Sequence, residues 1–260
     1  MMALGVAHLT ALQLAPADLV RQAAGAGFSA VGLRLHPATA GGLCYPLDAA
    51  ARQALKVLLD TEGMAVSDIE FVELTPDVDV AACLPLLEAG ADLGAVSLTV
   101  SGDDPQFSRL TDHYAHLCEL AVDFGLRVDL EFMRWRAVGN LAQARQIVEG
   151  AGQANGGILV DALHLFRSGG DVAMLADVDP RWLRAVQLCD APLLAPPEAL
   201  IITEAREGRL PLGQGQLPLA GLLAALPKDV QVSVEMPYGA LESQARLALA
   251  YQTATQLRPL

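Results

Sequence analysis

Positive charge is scarce in this chain. Its 260 residues carry 17 Lys+Arg against 30 Asp+Glu, a formal net charge of -13. A duplex nucleic-acid binder needs a cationic face to replace phosphate counterions, so that class is disfavoured apart from a local basic patch. Charged residues make up only 18% and hydrophobic ones 53%, a balance that excludes intrinsic disorder. Cysteine is sparse as well. Cys44, Cys83, Cys118 and Cys189 stand far apart and form no C-x-x-C pair, so neither a thiolate zinc site nor a thioredoxin-type motif is expected. They read as buried free thiols of a reducing compartment. The first residues lack a basic n-region, and no apolar run reaches the roughly 18 residues of a membrane span. A cytoplasmic protein with no nucleic-acid or membrane partner is expected.

Several motifs are missing or out of context. There is no G-x-S-x-G nucleophile elbow and no H-E-x-x-H. Gly25-Ala26-Gly27-Phe28-Ser29-Ala30 imitates a dinucleotide fingerprint but precedes a strand instead of following one. Gly213-Gln214-Gly215 follows no strand and has no P-loop lysine. No Pro/Gly/Ser linker divides residues 1–260, so one domain is expected.

What is present is a regular alternation of β-branched apolar runs and alanine-rich helical stretches. Strands are predicted at Gly5–Thr10, Ala30–His36, Ala65–Leu74, Ala95–Ser101, Arg127–Phe132, Ile158–Asp161, Ala185–Cys189 and Val230–Met236. Helices are predicted at Pro16–Ala26, Leu47–Glu62, Val80–Leu93, Gln106–Phe124, Leu141–Gln153, Val172–Ala176, Leu219–Leu226 and about Leu241–Leu257. Glycines 25, 63 and 125 are expected to end three of them as left-handed caps. Eight βα units match the roughly 250 residues of a (β/α)₈ TIM barrel, with a doubly wound open sheet as the competitor. The stretch from Asp190 to Gln216 reads as a long functional loop or lid.

Strand side chains alternate faces. Putting Val128, Leu130 and Phe132 against the helices turns Glu131 inward. The same test turns Asp161, Gln187, Glu235, Arg34 and His36 inward, whereas His8 and Glu70 fit less cleanly. One carboxylate at a strand end is ordinarily a solvated or capping group. Four successive strands ending in Glu131, Asp161, Gln187 and Glu235 instead predict a shared site at the barrel's C-terminal mouth. Three carboxylates converging there raise one another's pKa values, and a divalent cation relieves the repulsion. The all-oxygen donor set suits one Mg²⁺, Mn²⁺ or Co²⁺. Such an ion polarises a carbonyl or binds a diol while a basic group removes the neighbouring proton.

Arg34 is a candidate for a substrate carboxylate or phosphate, or for a buried ion pair with Glu70. Arg206 and Arg209 lie in the long loop and are candidates for a basic wall over the substrate. His8 and His36 are candidate lining residues or hydrogen-bonded core and rim histidines. Trp135 would cover an apolar substrate edge or pack in the core. His113 and His116 share a helix face and receive no role.

At these residues the sequence resembles the xylose-isomerase-like TIM-barrel superfamily of sugar isomerases and epimerases. The carriers are VDLEF around Glu131, ILVDALHLFRSGG with Asp161 and His164, AVQLCDAP with Gln187 and Asp190, EGRLPLGQGQLPL, and VSVEMP with Glu235. The resemblance implies that Glu131, Asp161, Gln187 and Glu235 bind one divalent metal and that His164 stands beside it. It implies that Glu131 and Glu235 exchange a substrate proton, making the chain an isomerase or epimerase of a polyhydroxy carbonyl compound. One departure matters. The common epimerase pattern has histidine where this chain has Gln187, and glutamine looks more like the 3-dehydroshikimate dehydratase branch, a lyase. An endonuclease IV-like phosphodiesterase shares the barrel but uses three zinc ions and many histidines, against five here. A non-catalytic barrel is the remaining rival. Exposed apolar helix faces are compatible with a homo-oligomer.

Overall fold

The apolar alternation of the strands is spent on their outer side. Val31, Leu33, Val128, Leu130, Ile158, Val160, Val186 and Val234 are all buried there beneath the helices. The computed structural model describes residues 4–39 and 41–257. Its eight parallel strands are β1 (Leu4–Val6), β2 (Ala30–Arg34), β3 (Ala65–Leu74), β4 (Ser97–Gly102), β5 (Arg127–Glu131), β6 (Gly156–Asp161), β7 (Leu183–Leu188) and β8 (Gln231–Val234). They pair in chain order, and β8 returns to β1 through Gly5 opposite Ser233. The sheet is therefore a closed (β/α)₈ barrel, not an open doubly wound one.

Helices alternate with the strands: α1 (Pro16–Ala26), α2 (Ala49–Glu62), α3 (Leu84–Asp92), α4 (Phe107–Val122), α5 (Leu141–Ala151), α6 (Ala162–Arg167), α7 (Ile201–Glu207), α8 (Leu219–Ala225) and α9 (Ser243–Leu257). The first is capped by Gly27 at φ 109°, not by Gly25, because the helical pattern runs two residues further. A side chain at Gly27 would also strike the Tyr251 ring at 2.6 Å. Gly63 caps α2 as expected. Gly125 has a positive φ but follows the Asp123 cap of α4 instead of being it.

Three local differences matter for the site. The first strand stops at Val6, and His8–Ala11 forms a 3₁₀ turn closed by the Thr10 amide on the Ala7 carbonyl. Strand β6 passes straight into α6, six residues not foreseen, and the predicted helix at Val172–Ala176 is a 3₁₀ turn, Val172–Asp177. The stretch from Asp190 to Gln216 contains α7, another unforeseen helix.

The barrel interior is unusually polar below its mouth. Asp68 and Asp129 point inward, and Gly32 and Gly157 make room for them. A Cβ at Gly32 would meet Asp68 Oδ1 at 2.9 Å, and one at Gly157 would meet Asp129 Oδ1 at 2.5 Å. Asp129 is paired with Arg127 at 2.7 Å. Among the described residues Asp68 has no cation partner, and it accepts from Ser67 Oγ at 2.7 Å. Burial, with Glu70 and Asp129 nearby, pushes its pKa up to about 7.

Candidate active site

The C-terminal ends of the strands open into a cavity of about 370 Å³. Glu131, Gln187 and Glu235 line it from the ends of β5, β7 and β8, and His164 joins them from α6. Asp161 lies just behind this lining and is fully buried. All five residues are thus gathered at one end of the barrel. Each is buried, so their charges interact with little water between them.

Burial is the main cause of the shifted acidities, and crowding adds to it. Glu131 is raised well above the carboxylate range by burial and then by Glu235 and Asp161. Glu235 is pushed up to about 8 by burial, with Arg209 opposing and Asp161 assisting. Burial also raises Asp161, but Arg209, His164 and its own hydrogen bonds outweigh it and the net shift is downward. His164 is lowered to about 4, chiefly by burial, so its imidazole is neutral at pH 7. Its Nε2 stands 3.6 Å from Glu131 Oε1, its Nδ1 has no partner, and the Trp135 ring meets it edge-on at 5.0 Å.

Local sequence explains part of this arrangement. Asp161 is both a strand end and the N-cap of α6, accepting the His164 amide at 2.9 Å. That bond brings Asp161 and His164 together, because a cap reaches the amide three residues on. Arg209 contributes a third group. Its guanidinium donates to Asp161 Oδ2 at 2.5 Å and to Glu235 Oε2 at 2.6 Å, while Nε donates to the Ala205 carbonyl at 2.8 Å. A buried fork with two carboxylate partners is a strong neutralising contact. Arg209 lines the cavity, as its place in the long loop suggested, and is at the same time a buried counter-ion of the acidic cluster.

The long loop is built around Asp190. Its Oδ1 accepts the Ala191 and Leu217 amides and its Oδ2 accepts the Gly213 amide. A side chain at Gly215 would meet Asp190 Oδ1 at 2.3 Å, so the Gly213-Gln214-Gly215 pattern serves a packed turn. Arg206, on α7, is exposed and lines the cavity rim.

Other expectations need correction. His8 is not on a strand and does not line the cavity. Its Nδ1 accepts the Arg34 amide at 2.8 Å, so its Nε2 carries the hydrogen that goes to the Leu14 carbonyl at 2.9 Å. Both ring nitrogens are used by the backbone. His36 follows the end of β2, is exposed, and bonds the Phe71 carbonyl through Nδ1. The inward alternation fails there because the strand has ended. Arg34 does line the cavity, but Glu70 holds it through Nε at 2.6 Å and through Nη2. It is the buried ion pair with Glu70, not an uncommitted cation. Glu70 also faces the cavity, with its Oε1 unpartnered.

The donor chemistry suits a divalent ion. Ligand atoms of Glu131, Asp161 and His164 lie within 4.8 Å of one another. Gln187 Oε1 is buried without a hydrogen-bond donor, a costly state for an amide oxygen unless a cation or donor meets it.

Two cavity arginines carried no signal that was used above. Arg136, in the loop after β5, pairs with Glu73 and with Asp103 at 2.9 Å. Arg246, on α9, faces the cavity and is buried. It shares the buried stripe of α9 with Ala250, Thr253 and Ala254, and an arginine on such a stripe was a usable signal.

Comparison with known proteins agrees with this geometry. Residues 20–255 match the family described as xylose isomerase-like TIM barrel. Over 141 residues the chain is 37% identical to a 3-dehydroshikimate dehydratase of Pseudomonas aeruginosa, a match that covers 53% of this chain but 22% of that longer protein. A xylose isomerase-like TIM barrel/4-hydroxyphenylpyruvate dioxygenase fusion protein superposes with a TM-score of 0.81 at 22% identity, over 98% of this chain and 42% of the other. The IOLI protein with a bound zinc atom also superposes with a TM-score of 0.81, at 20% identity over 98% of both chains. By its sequence match over nearly its whole length and by its closed eight-stranded barrel, the chain belongs to the xylose isomerase-like TIM barrel family.

Proposed function

We propose that this chain is a divalent-metal-dependent enzyme that removes a proton next to a carbonyl of a cyclic polyhydroxy substrate and expels water, as a 3-dehydroshikimate dehydratase does. The observation that carries the reading is the gathering of Glu131, Asp161, Gln187 and Glu235 with the neutral His164 around one cavity. The sequence likeness to a 3-dehydroshikimate dehydratase supports the dehydration outcome, as does glutamine at position 187.

In this reading Glu131, Asp161, Gln187 and Glu235 hold one Mg²⁺, Mn²⁺ or Co²⁺ ion. When bound, the ion polarises the substrate carbonyl and acidifies the adjacent C–H. His164 is neutral at pH 7 and is the candidate base, taking the proton at Nε2 and returning it to the departing hydroxyl. Trp135 holds the imidazole plane from its edge and keeps water from that side. Arg209 favours the ionised form of Asp161 and anchors Glu235 through its second arm.

A second reading, isomerisation or epimerisation, is favoured by the placement of Glu131 and Glu235 in the lining of one cavity. Two glutamates flanking one carbon exchange a proton between its faces without loss of water. Metal-loaded protein incubated in deuterated water with 3-dehydroshikimate, ketohexoses and inosose-type ketones separates the two. We expect a catechol product from 3-dehydroshikimate. Carbon-bound deuterium without water loss on any of these substrates would replace the dehydratase reading with the epimerase one.

A further inference from the structure

Four arginines are buried among the described residues: Arg34, Arg167, Arg209 and Arg246. Three have carboxylate partners. Arg34 pairs with Glu70, Arg167 with Glu204, and Arg209 with Asp161 and Glu235. Arg246 has none among the described residues. Its Nη1 donates to the Thr10 carbonyl at 2.8 Å and its Nη2 to the Leu241 carbonyl at 2.6 Å. Its Nε is buried with no acceptor. Only 9% of the residue is exposed, and it lines the cavity together with Pro237 and Gly239. Burial pulls the guanidinium pKa below the usual arginine value, with Glu242 opposing.

A buried cation without an anion is costly. Two neutral carbonyls orient the fork but leave its charge uncancelled, and it faces the space that a substrate would fill. The other cavity arginines do not compete for this role. Arg34 and Arg136 are neutralised by Glu70 and by Glu73 with Asp103, and Arg206 is an exposed side chain on the rim. Thr10 follows β1 and Leu241 follows β8, so Arg246 stands across the mouth from the end of β5 that carries Glu131, on the side where β8 leads to Glu235.

We propose that Arg246 is a specificity-determining residue that binds a carboxylate carried by the substrate. The carboxylate's two oxygens fit the planar guanidinium fork, which a ketose hydroxyl cannot neutralise. The inference deepens the function proposed above and rests on it: the substrate is a carboxylated cyclic polyhydroxy ketone rather than a neutral sugar. It also moves the anion-binding role from Arg34, which Glu70 already occupies, to Arg246.

The test is calorimetric binding of shikimate and of its neutral methyl ester to Mn²⁺-loaded protein, since neither ligand carries the ketone needed for turnover. Wild type is expected to prefer the acid by roughly 10- to 100-fold, the range for a charge-assisted hydrogen bond. Arg246→Gln is expected to erase that preference while binding the ester within about threefold of wild type. Should Arg246→Gln fail to fold, Arg246→Lys keeps the charge without the fork and is expected to retain only part of the preference. Equal binding of acid and ester by wild type overturns the proposal. So does binding of neither ligand, an acid preference that survives Arg246→Gln, or one left undiminished in Arg246→Lys. Acid preference through Arg246 in a protein that dehydrates nothing would sink the dehydratase reading and leave this one standing. Dehydration of 3-dehydroshikimate without any role for Arg246 would do the reverse.

Discussion

The two halves of the barrel mouth contrast in how their buried polar groups are satisfied. On the β1–β3 side, His8 spends both ring nitrogens on backbone groups and Arg34 is closed off by Glu70. On the β5–β8 side, buried groups are left open or crowded. Among the described residues Gln187 Oε1 and His164 Nδ1 have no partner, and Glu131, Asp161 and Glu235 repel one another with Arg209 as a counter-cation. Among the described residues of the first half, Glu70 Oε1 is a buried carboxylate oxygen left open. The contrast teaches that burial and residue type alone do not mark a site. A satisfied buried histidine holds the fold together, whereas unsatisfied buried acceptors and like charges are stable only in the company of a ligand.

Substitutions on the open side should have the largest effects. Glu131→Gln or Asp161→Asn is expected to abolish stoichiometric metal binding and to lower turnover by roughly 10³-fold or more. Metal analysis and steady-state rates check this, and full metal occupancy in both variants would erase the contrast. Arg209→Met is next. It leaves Asp161 and Glu235 buried without their cation, so metal-free protein should lose about 3–5 kcal/mol of stability. Added divalent metal should recover part of that loss in denaturant titrations, because the ion supplies the missing charge.

Below the mouth, Asp68 gives a pH signature. Its pKa is 3.8 in the reference state and about 7 in the fold. Between those values the folded state holds the extra proton, so Asp68 lowers stability as pH rises through this window and contributes a constant penalty above it. Asp68→Asn should therefore stabilise the protein by roughly 2 kcal/mol at pH 8, inside the linkage limit of about 4 kcal/mol. It should be without benefit near pH 4, and thermal melts at the two pH values decide. The smallest effects belong to the satisfied side. His8→Ala should cost about 1–3 kcal/mol of stability by stranding the Arg34 amide and the Leu14 carbonyl, with kcat unchanged. His36→Ala should stay within about 0.5 kcal/mol of wild type. A loss of turnover in either would remove the distinction between the two halves.

The difference between the halves also explains what was readable. Glu131, Asp161 and Gln187 lie within their strands and Glu235 one residue past β8, so period-two alternation still holds and their inward direction could be inferred from Leu130, Val160, Leu188 and Val234. The inference failed at His36, two residues past the end of β2, and His8, which fitted the alternation less cleanly, lies two residues past β1. Helices α6 and α7 were missed because each is a single short segment, too brief for a helical period to stand out from its flanks. Arg34 carried two readings, and only its distance to Glu70 chose between them.

By itself the sequence determined eight βα units and four strand ends that share an inward face, since both follow from local periodicity that a single chain displays. Only the tertiary structure decided which charges cancel. Arg209 reaches Asp161 across 48 positions of chain and Arg34 reaches Glu70 across 36, and Arg246 meets carbonyls near both ends of the molecule without meeting an acid. Neutralisation in a dry cavity depends on distances of a few ångströms between groups far apart in the chain, and such distances exist only once the barrel has closed.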